Sequence, residues 1–347
     1  STGSSVTLNA GDDAIISGNV SAATTVTVNV DEGNADPGVG GAVTISGVIT
    51  TPIGGGTFLT GDVDNDVFSF APQSTTAFSV NGDLPFGTPT GDVLNLDISA
   101  AATASLTLGG IGAGTWSFTP LALRSVVYAS IEDVNANGPY HLVLDAVTAG
   151  FGNTGVDDHL TLRRSGTDFV LERTGDAIAP DDDDVGIVFT GDFATILSFT
   201  YLGSNDNDIL TISDVGGLVD FAGTVPGVTD NGNLAGTAEF LFDGGAGNDQ
   251  LIFDLTGASA SQSYAMGNGT AAGLEGEVSS TSNGTTLIAY FQNVELAQRT
   301  GVGATPGALT IIGDANDNSF VTAANGAFTR TSAAGYTPFE FSGNNYS

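Results

Sequence analysis

The sequence predicts an all-β protein. A β-solenoid or parallel β-helix-like stack is favoured, with tandem β-sandwich domains of immunoglobulin-like character as the alternative. Three observations carry this. Apolar and polar residues alternate in short runs bounded by Gly, Asn and Asp, no amphipathic helix is found, and acidic turns that feed directly into strands recur along the chain.

The alternation is plain in Val26–Val30, Val93–Ile98, His159–Leu162 and Ile209–Ile212, and again in Phe240–Phe242, Leu251–Leu255 and Leu309–Ile312. A period of two places one set of side chains in a core and the other outside, which describes half-buried strands. Ala100–Ala104 is too short for a stable helix, and polar turn residues break the other candidates. The 50 glycines suit many short strands and turns.

Repetition sets the domain organisation. Gly61-Asp-Val-Asp-Asn-Asp-Val-Phe68 is matched by Gly203-Ser-Asn-Asp-Asn-Asp-Ile-Leu210 and by Gly313-Asp-Ala-Asn-Asp-Asn-Ser-Phe320. A longer series, Phe78-Ser-Val-Asn-Gly, Gly91-Asp-Val-Leu and Tyr128-Ala-Ser-Ile-Glu, returns in the same order as Phe240-Leu-Phe-Asp-Gly, Asn248-Asp-Gln-Leu and Phe291-Gln-Asn-Val-Glu. These matches divide the chain into an N-terminal β segment at 1–60 (a cap or assembly arm), a first repeat unit at 61–154, a second at 155–312, and the start of a third, truncated unit at 313–347. The start at Ser1 and the unfinished last unit are those expected of a mature product or a piece of a longer polypeptide.

The 39 acidic and 6 basic side chains leave a formal charge of -33, and there is no cysteine. Nucleic acid is excluded as a partner because no basic patch exists to displace counterions. Membrane insertion through a helix is not expected, since no long apolar run occurs. Disulfides and thiolate metal sites are impossible. The carboxylates gather in short Asp/Asn/Gly clusters, a pattern that suits site-bound divalent cations better than diffuse solvation.

Gly244-Gly-Ala-Gly-Asn-Asp-Gln-Leu-Ile252 resembles the glycine-rich nonapeptide of haemolysin-type, repeats-in-toxin calcium-binding proteins. The resemblance implies calcium as cofactor, Asp249 as a ligand with Asp243 adding an oxygen, and Leu251 in the core. It covers nine residues, where the family stacks such nonapeptides in tandem. Alternating oxygens at Asp62, Asp64 and Asp66, at Asp206 and Asp208, and at Asp314 and Asn316 are further candidate ligands, as are Asp133, Asn135 and Asn137 in a degenerate calcium loop. For each cluster the competing reading is an Asx-turn that opens a strand.

In style, the acidic turn-and-strand repeats also resemble large repetitive secreted bacterial surface and fibre proteins. That resemblance implies an extracellular or cell-surface, calcium-stabilised structural protein that self-assembles into a filament or surface layer, with itself and extracellular polysaccharide as partners. An adhesin or carbohydrate-binding protein is the alternative. An enzyme is not expected: the histidines are His141 and His159 alone, and no nucleophile elbow occurs. A calcium-dependent β-helix polysaccharide lyase, with Arg163, Arg164 and Arg173 beside Asp157 and Asp158, is the enzymatic rival. The run Asp181–Asp184 reads as a solvated loop, and Asn19, Asn268, Asn283 and Asn345 head glycosylation sequons.

Overall fold

A computed structural model describes residues 4–33, 37–83, 91–119, 123–150, 158–174, 186–228, 238–254, 260–266, 276–282, 285–294, 296–300, 309–312, 319–322, 328–331 and 339–341. The protein is all-β. Among the described residues there is no helix, so none is long and apolar enough to cross a membrane. The chain divides into two compact units, 1–142 and 143–347.

The first unit is a succession of strand sets, or rungs. Its first rung holds β1 (Val6–Asn9), β2 (Ala14–Ile16) and β3 (Val20–Ser21), and its second β4 (Val26–Asn29), β5 (Ala42–Ile45) and β6 (Ile49–Thr50). The third holds β7 (Gly56–Thr60) and β8 (Val67–Phe70), and the fourth β9 (Ala77–Asn81) and β10 (Val93–Leu96). A hairpin of β11 (Thr103–Leu108) and β12 (Gly114–Thr119) is inserted next, followed by a fifth rung of β13 (Val126–Ala129) and β14 (Asp133–Ala136). The chain passes into the second unit within β15 (Tyr140–Asp145).

Each strand pairs with its counterpart one rung away, parallel and without slippage. One ladder runs β1–β4–β7–β9–β13, and the other β2–β5–β8–β10–β14. The strands of these two ladders therefore follow each other in turn along the chain, while β3 and β6 pair in a small third sheet. The inward positions stack in rows: Val28, Leu59, Val80 and Tyr128 in one sheet, Ile45, Phe70 and Leu96 in the other. All are buried. The Phe70 and Phe78 rings, 4.4 Å apart, join the two inner faces. A one-residue slip would turn every one of these side chains outward, so burial itself holds the register.

The second unit repeats the plan. It contains β16 (Asp158–Ser165), β17 (Asp168–Arg173), β18 (Gly186–Asp192), β19 (Ile196–Leu202), β20 (Asp208–Ser213), β21 (Phe240–Asp243) and β22 (Gln250–Asp254). After these come β23 (Ala260–Met266), β24 (Gly276–Ser282), β25 (Thr285–Gln292), β26 (Leu296–Thr300), β27 (Leu309–Ile312), β28 (Ser319–Thr322), β29 (Phe328–Thr331) and β30 (Phe339–Phe341). β19, β21 and β25 form one parallel ladder, and β16, β20, β22, β26 and β30 the other.

The order β9, β10, hairpin β11–β12, β13 in the first unit has its counterpart in β21, β22, hairpin β23–β24, β25 in the second. In both, the last strand pairs parallel with the first and antiparallel with the hairpin. These are the segments that the Phe78 and Phe240 series align in sequence. Aromatic residues fill this core, with Tyr201 stacked on Phe242 and Phe199 tilted against Phe240.

Candidate functional site: carboxylates at the rung corners

In the second ladder of each unit most of the described strands open on an acid, β5, which follows Gly41, being an exception. Asp13 precedes β2, Asp66 β8, Asp92 β10 and Glu132 β14 in the first unit, and Asp249 precedes β22 in the second, where Asp158 and Asp208 are the first residues of β16 and β20. The parallel register fixes what these side chains meet. Asp66, Asp92, Glu132 and Asp249 each reach the backbone N–H of the equivalent position on the rung before.

In the first unit this makes a relay. Asp13 Oδ1 accepts from Ala42 N at 3.0 Å, on the following rung. Asp66 Oδ1 accepts from Gly41 N at 2.7 Å, Asp92 Oδ1 from Asp66 N at 2.7 Å, and Glu132 Oε2 from Asp92 N at 2.7 Å. Asp66 Oδ2 also closes its own turn by accepting from Asp62 N at 2.9 Å. In the second unit Asp249 Oδ1 accepts from Asp208 N at 2.7 Å, while Asp208 binds Ser204 N and the Tyr201 hydroxyl. Asp158, whose other neighbour is the antiparallel β17, takes the Arg173 guanidinium at 2.9 Å.

A glycine on the end of the first-sheet strand makes room for each acid. A Cβ on Gly61 would stand 2.0 Å from Asp66 Oδ2, and one on Gly82 2.2 Å from Asp92 Oδ2 and 2.1 Å from the Ser130 carbonyl. Gly203 and Gly244 stand in the same relation to Asp208 and Asp249, at 2.7 Å. The glycines of the repeated motif are thus required by close approach of a carboxylate to the backbone.

Asp66, Asp92, Asp158, Asp208 and Asp249 are all fully buried. Burial pushes Asp66 up to about 6, and Asp92 and Asp158 to about 7, each against the pull of its hydrogen bonds. Asp208 is raised for the same reason. Neighbouring carboxylates add to the shift, Asp66 and Glu132 acting on Asp92. Among the described residues, Asp92 Oδ2 and Asp158 Oδ2 are buried acceptors without a hydrogen-bond donor. In each unit the corner is a column of buried hard oxygens.

The sequence-predicted ligands are distributed as follows. Asp62, Asp64 and Asp66 do lie together, and each accepts a backbone N–H from the segment one rung back: Gly33 at 3.1 Å, Gly38 at 2.8 Å and Gly41 at 2.7 Å. Asp208 and Asp249 are adjacent in the column, and Asp206 lies in the turn before Asp208, its N–H on Ser204 Oγ. Asp243 accepts from Gln292, Asn293 and Gly245. Asp133 and Asn135 bond each other at 3.0 Å on exposed positions, and Asn137 is exposed. Asp314 and Asn316 lie outside the described residues, as do Asp157 and the Asp181–Asp184 run.

Among the described residues, no three His, Asp or Glu side chains converge closely enough to hold a metal ion by themselves. The acids are instead spaced by the rungs, about 4.8 Å apart. Calcium takes backbone carbonyls and water as well as carboxylates. Asp62 and Asp64 each commit one oxygen to a loop N–H, and among the described residues nothing bonds the second.

The chain matches no family model, no curated protein and no solved structure. The column therefore has to be read on its own chemistry.

Three of these acids were not singled out from sequence: Asp13, Asp92 and Glu132, and Asp158 was named only beside the arginines of the enzymatic rival. The signal was present for Asp92, since Gly91-Asp-Val-Leu opens a strand just as Asn65-Asp-Val-Phe does. Glu239 was missed as well. It lies outside the column, buried in the second unit, accepting from Phe221 N and Ile288 N, both at 2.8 Å. Burial and the neighbouring Asp220 push it up to about 8.

Proposed function

We propose that the chain is an extracellular, calcium-stabilised structural protein that self-assembles into a filament or surface layer. The observation that carries this reading is the in-register stacking of acid-opened parallel strands in both units. We read the winding as a solenoid, in which successive rungs add carboxylates to a corner column in each unit. Such an arrangement is a scaffold whose surface is made of repeats.

Calcium enters through electrostatics. A chain at -33 opposes its own compaction. Cations held at the clustered turn acids, Asp62, Asp64, Asp206, Asp243 and Asp249 among them, relieve that repulsion. Calcium abundance outside the cell then couples folding to export. Rung ladders also end in strands with one unpaired edge, the means by which β-structures add a neighbouring subunit.

The test is thermal unfolding and negative-stain imaging with calcium and with excess chelator, at fixed ionic strength. A calcium-specific rise in Tm and polymers that disperse on chelation are expected. Magnesium acting as well as calcium, or neither Tm nor particle shape responding to chelator, would remove calcium from the account. Monodisperse monomers at high concentration with calcium present would remove assembly.

A further inference from the structure

We propose that the first unit carries a saccharide-binding groove whose recognition element is Arg124. Its ligand class is an oligosaccharide with a neutral backbone and an isolated carboxylate. The ligand class rests on the extracellular reading above; the groove and its arginine do not.

The groove has a volume of about 580 Å³ and is walled by Ile53, Ala77, Ser117, Phe118, Arg124 and Ser125. That lies within the usual range for small-ligand sites, roughly 300–1,000 Å³. Its walls mix apolar surface with hydroxyls, and Ile53 is 94% exposed. Apolar patches accept the C–H face of a sugar ring, and Ser117 and Ser125 offer partners for ring hydroxyls.

Arg124 is the one Arg or Lys among residues 1–142. In the second unit Arg163 pairs with Glu172, Arg173 with Asp158, and Arg164 lies 5.4 Å over the Phe193 ring. Arg124 pairs with no carboxylate among the described residues, although the unit is rich in them. Its Nη1 donates to the Pro52 carbonyl at 3.3 Å. One such bond leaves most of the five-donor guanidinium fork unused, and that fork matches a carboxylate bidentately.

Magnitudes select a sparsely charged ligand. Charges are screened over about 8 Å at physiological salt, so one carboxylate on the guanidinium answers mainly to that local pair. A polyuronate with a charge on every ring would carry the rest of its carboxylates into the field of a chain at -33. A second copy of this chain meets the same repulsion wherever cations do not neutralise it.

The experiment is calorimetric titration of cellobiouronic acid (glucuronate joined to glucose) and of neutral cellobiose. It uses the full chain in chelator at fixed ionic strength, with Arg124→Gln and Arg124→Lys alongside. The wild type is expected to bind the uronate at least tenfold more tightly than cellobiose. Arg124→Gln should erase the difference at unchanged Tm, and Arg124→Lys should retain part of it, as a point charge without the fork. Equal affinity for the two sugars, binding of neither, or a preference that survives Arg124→Gln overturns the proposal. So does a change in self-association by Arg124→Gln in sedimentation without any sugar effect, which would give the groove to a second copy. Chelator keeps calcium-driven assembly out of the measurement, and the titration is repeated in calcium at a protein concentration below assembly, so that loss of fold and loss of the groove are told apart and the two tests fail independently.

Discussion

Asp92 Oδ1 accepts the backbone N–H of Asp66 at 2.7 Å, one rung away in the same ladder, and both side chains are fully buried. The bond joins rungs through a side chain at the point where the strands begin to pair, beside the bond from Val93 N to the Asp66 carbonyl at 2.8 Å. Truncating Asp92 to Ala leaves the Asp66 N–H without an acceptor in a dry corner, which costs about 1–3 kcal/mol. Asp92→Asn keeps an acceptor oxygen and is expected to cost less. Urea unfolding at pH 7, followed by the fluorescence of Trp116, the only tryptophan and a core residue of the same unit, reads the difference. An Ala variant within about 0.5 kcal/mol of wild type would deny the relay any part in stability.

The corner glycines supply a second prediction. A methyl group at Gly82 would sit 2.1 Å from the Ser130 carbonyl, a backbone atom of the next rung that cannot swing aside. Gly82→Ala is therefore expected to lower Tm by several degrees, or to prevent folding of the unit. Gly18→Ala is the control, because nothing stands within 4 Å of its Cβ position. It should leave Tm unchanged or slightly raised, since Ala narrows the unfolded ensemble. Equal effects of the two substitutions would mean that the glycines are ordinary turn residues.

Much of this plan was legible in the sequence, and for physical reasons. Period-two alternation marked the strands: Val93–Ile98 and Ile209–Ile212 fall on β10 and β20. The correspondence of the Phe78 and Phe240 series anticipated strands that occupy equivalent places, because a parallel ladder presents the same inward position to the same kind of side chain on every rung. The inserted hairpins were not legible. Thr103–Leu108 and Gly114–Thr119 alternate like any rung strand, and nothing in their composition says that they turn back antiparallel. The acidic motifs were read by their spacing alone. Spacing places Asp62, Asp64 and Asp66 on one side of a turn, but only the fold brings Gly33, Gly38 and Gly41 opposite them. Glu239 opens Glu239-Phe-Leu-Phe with no local signal at all, since its partners Phe221 and Ile288 come from distant segments.

Arg173 and Asp158 make a third test. The Asp158 carboxylate is fully buried and takes the guanidinium where the antiparallel β17 replaces a parallel rung. Arg173→Met removes that charge and leaves Asp158 to ionise unaided or to stay protonated. Asp158 already stands at about 7, raised by burial and lowered by Arg173. Without the arginine it rises further. The variant should lose a few kcal/mol at pH 8, where a lone carboxylate is expensive to bury, and distinctly less at pH 5, where the proton neutralises it. Equal losses at the two pH values would show that Arg173 contributes through packing of its stem.

The raised carboxyls also fix the direction of the pH dependence. Asp66 at about 6, Asp92 and Asp158 at about 7 and Glu239 at about 8 all lie above their unfolded values. Each binds its proton more tightly when folded. Its contribution is complete below the ordinary carboxylate range and is lost as pH rises through about 6 to 8. The calcium-free protein should therefore gain stability as pH falls from 8.5 to 5, opposite to proteins held by ionised carboxylate pairs. Glu239 isolates one component, because it lies outside the corner column. Glu239→Gln removes a titrating group and sets an amide against one of two N–H donors, Phe221 or Ile288. It should cost about 1–3 kcal/mol at pH 5 and less at pH 8.5, where the wild-type carboxylate is itself ionised beside Asp220. Chemical denaturation in chelator across that range checks both statements. A wild type whose stability climbs with pH, or a variant whose deficit is the same throughout, would mean that Glu239 does not hold a proton in the folded state.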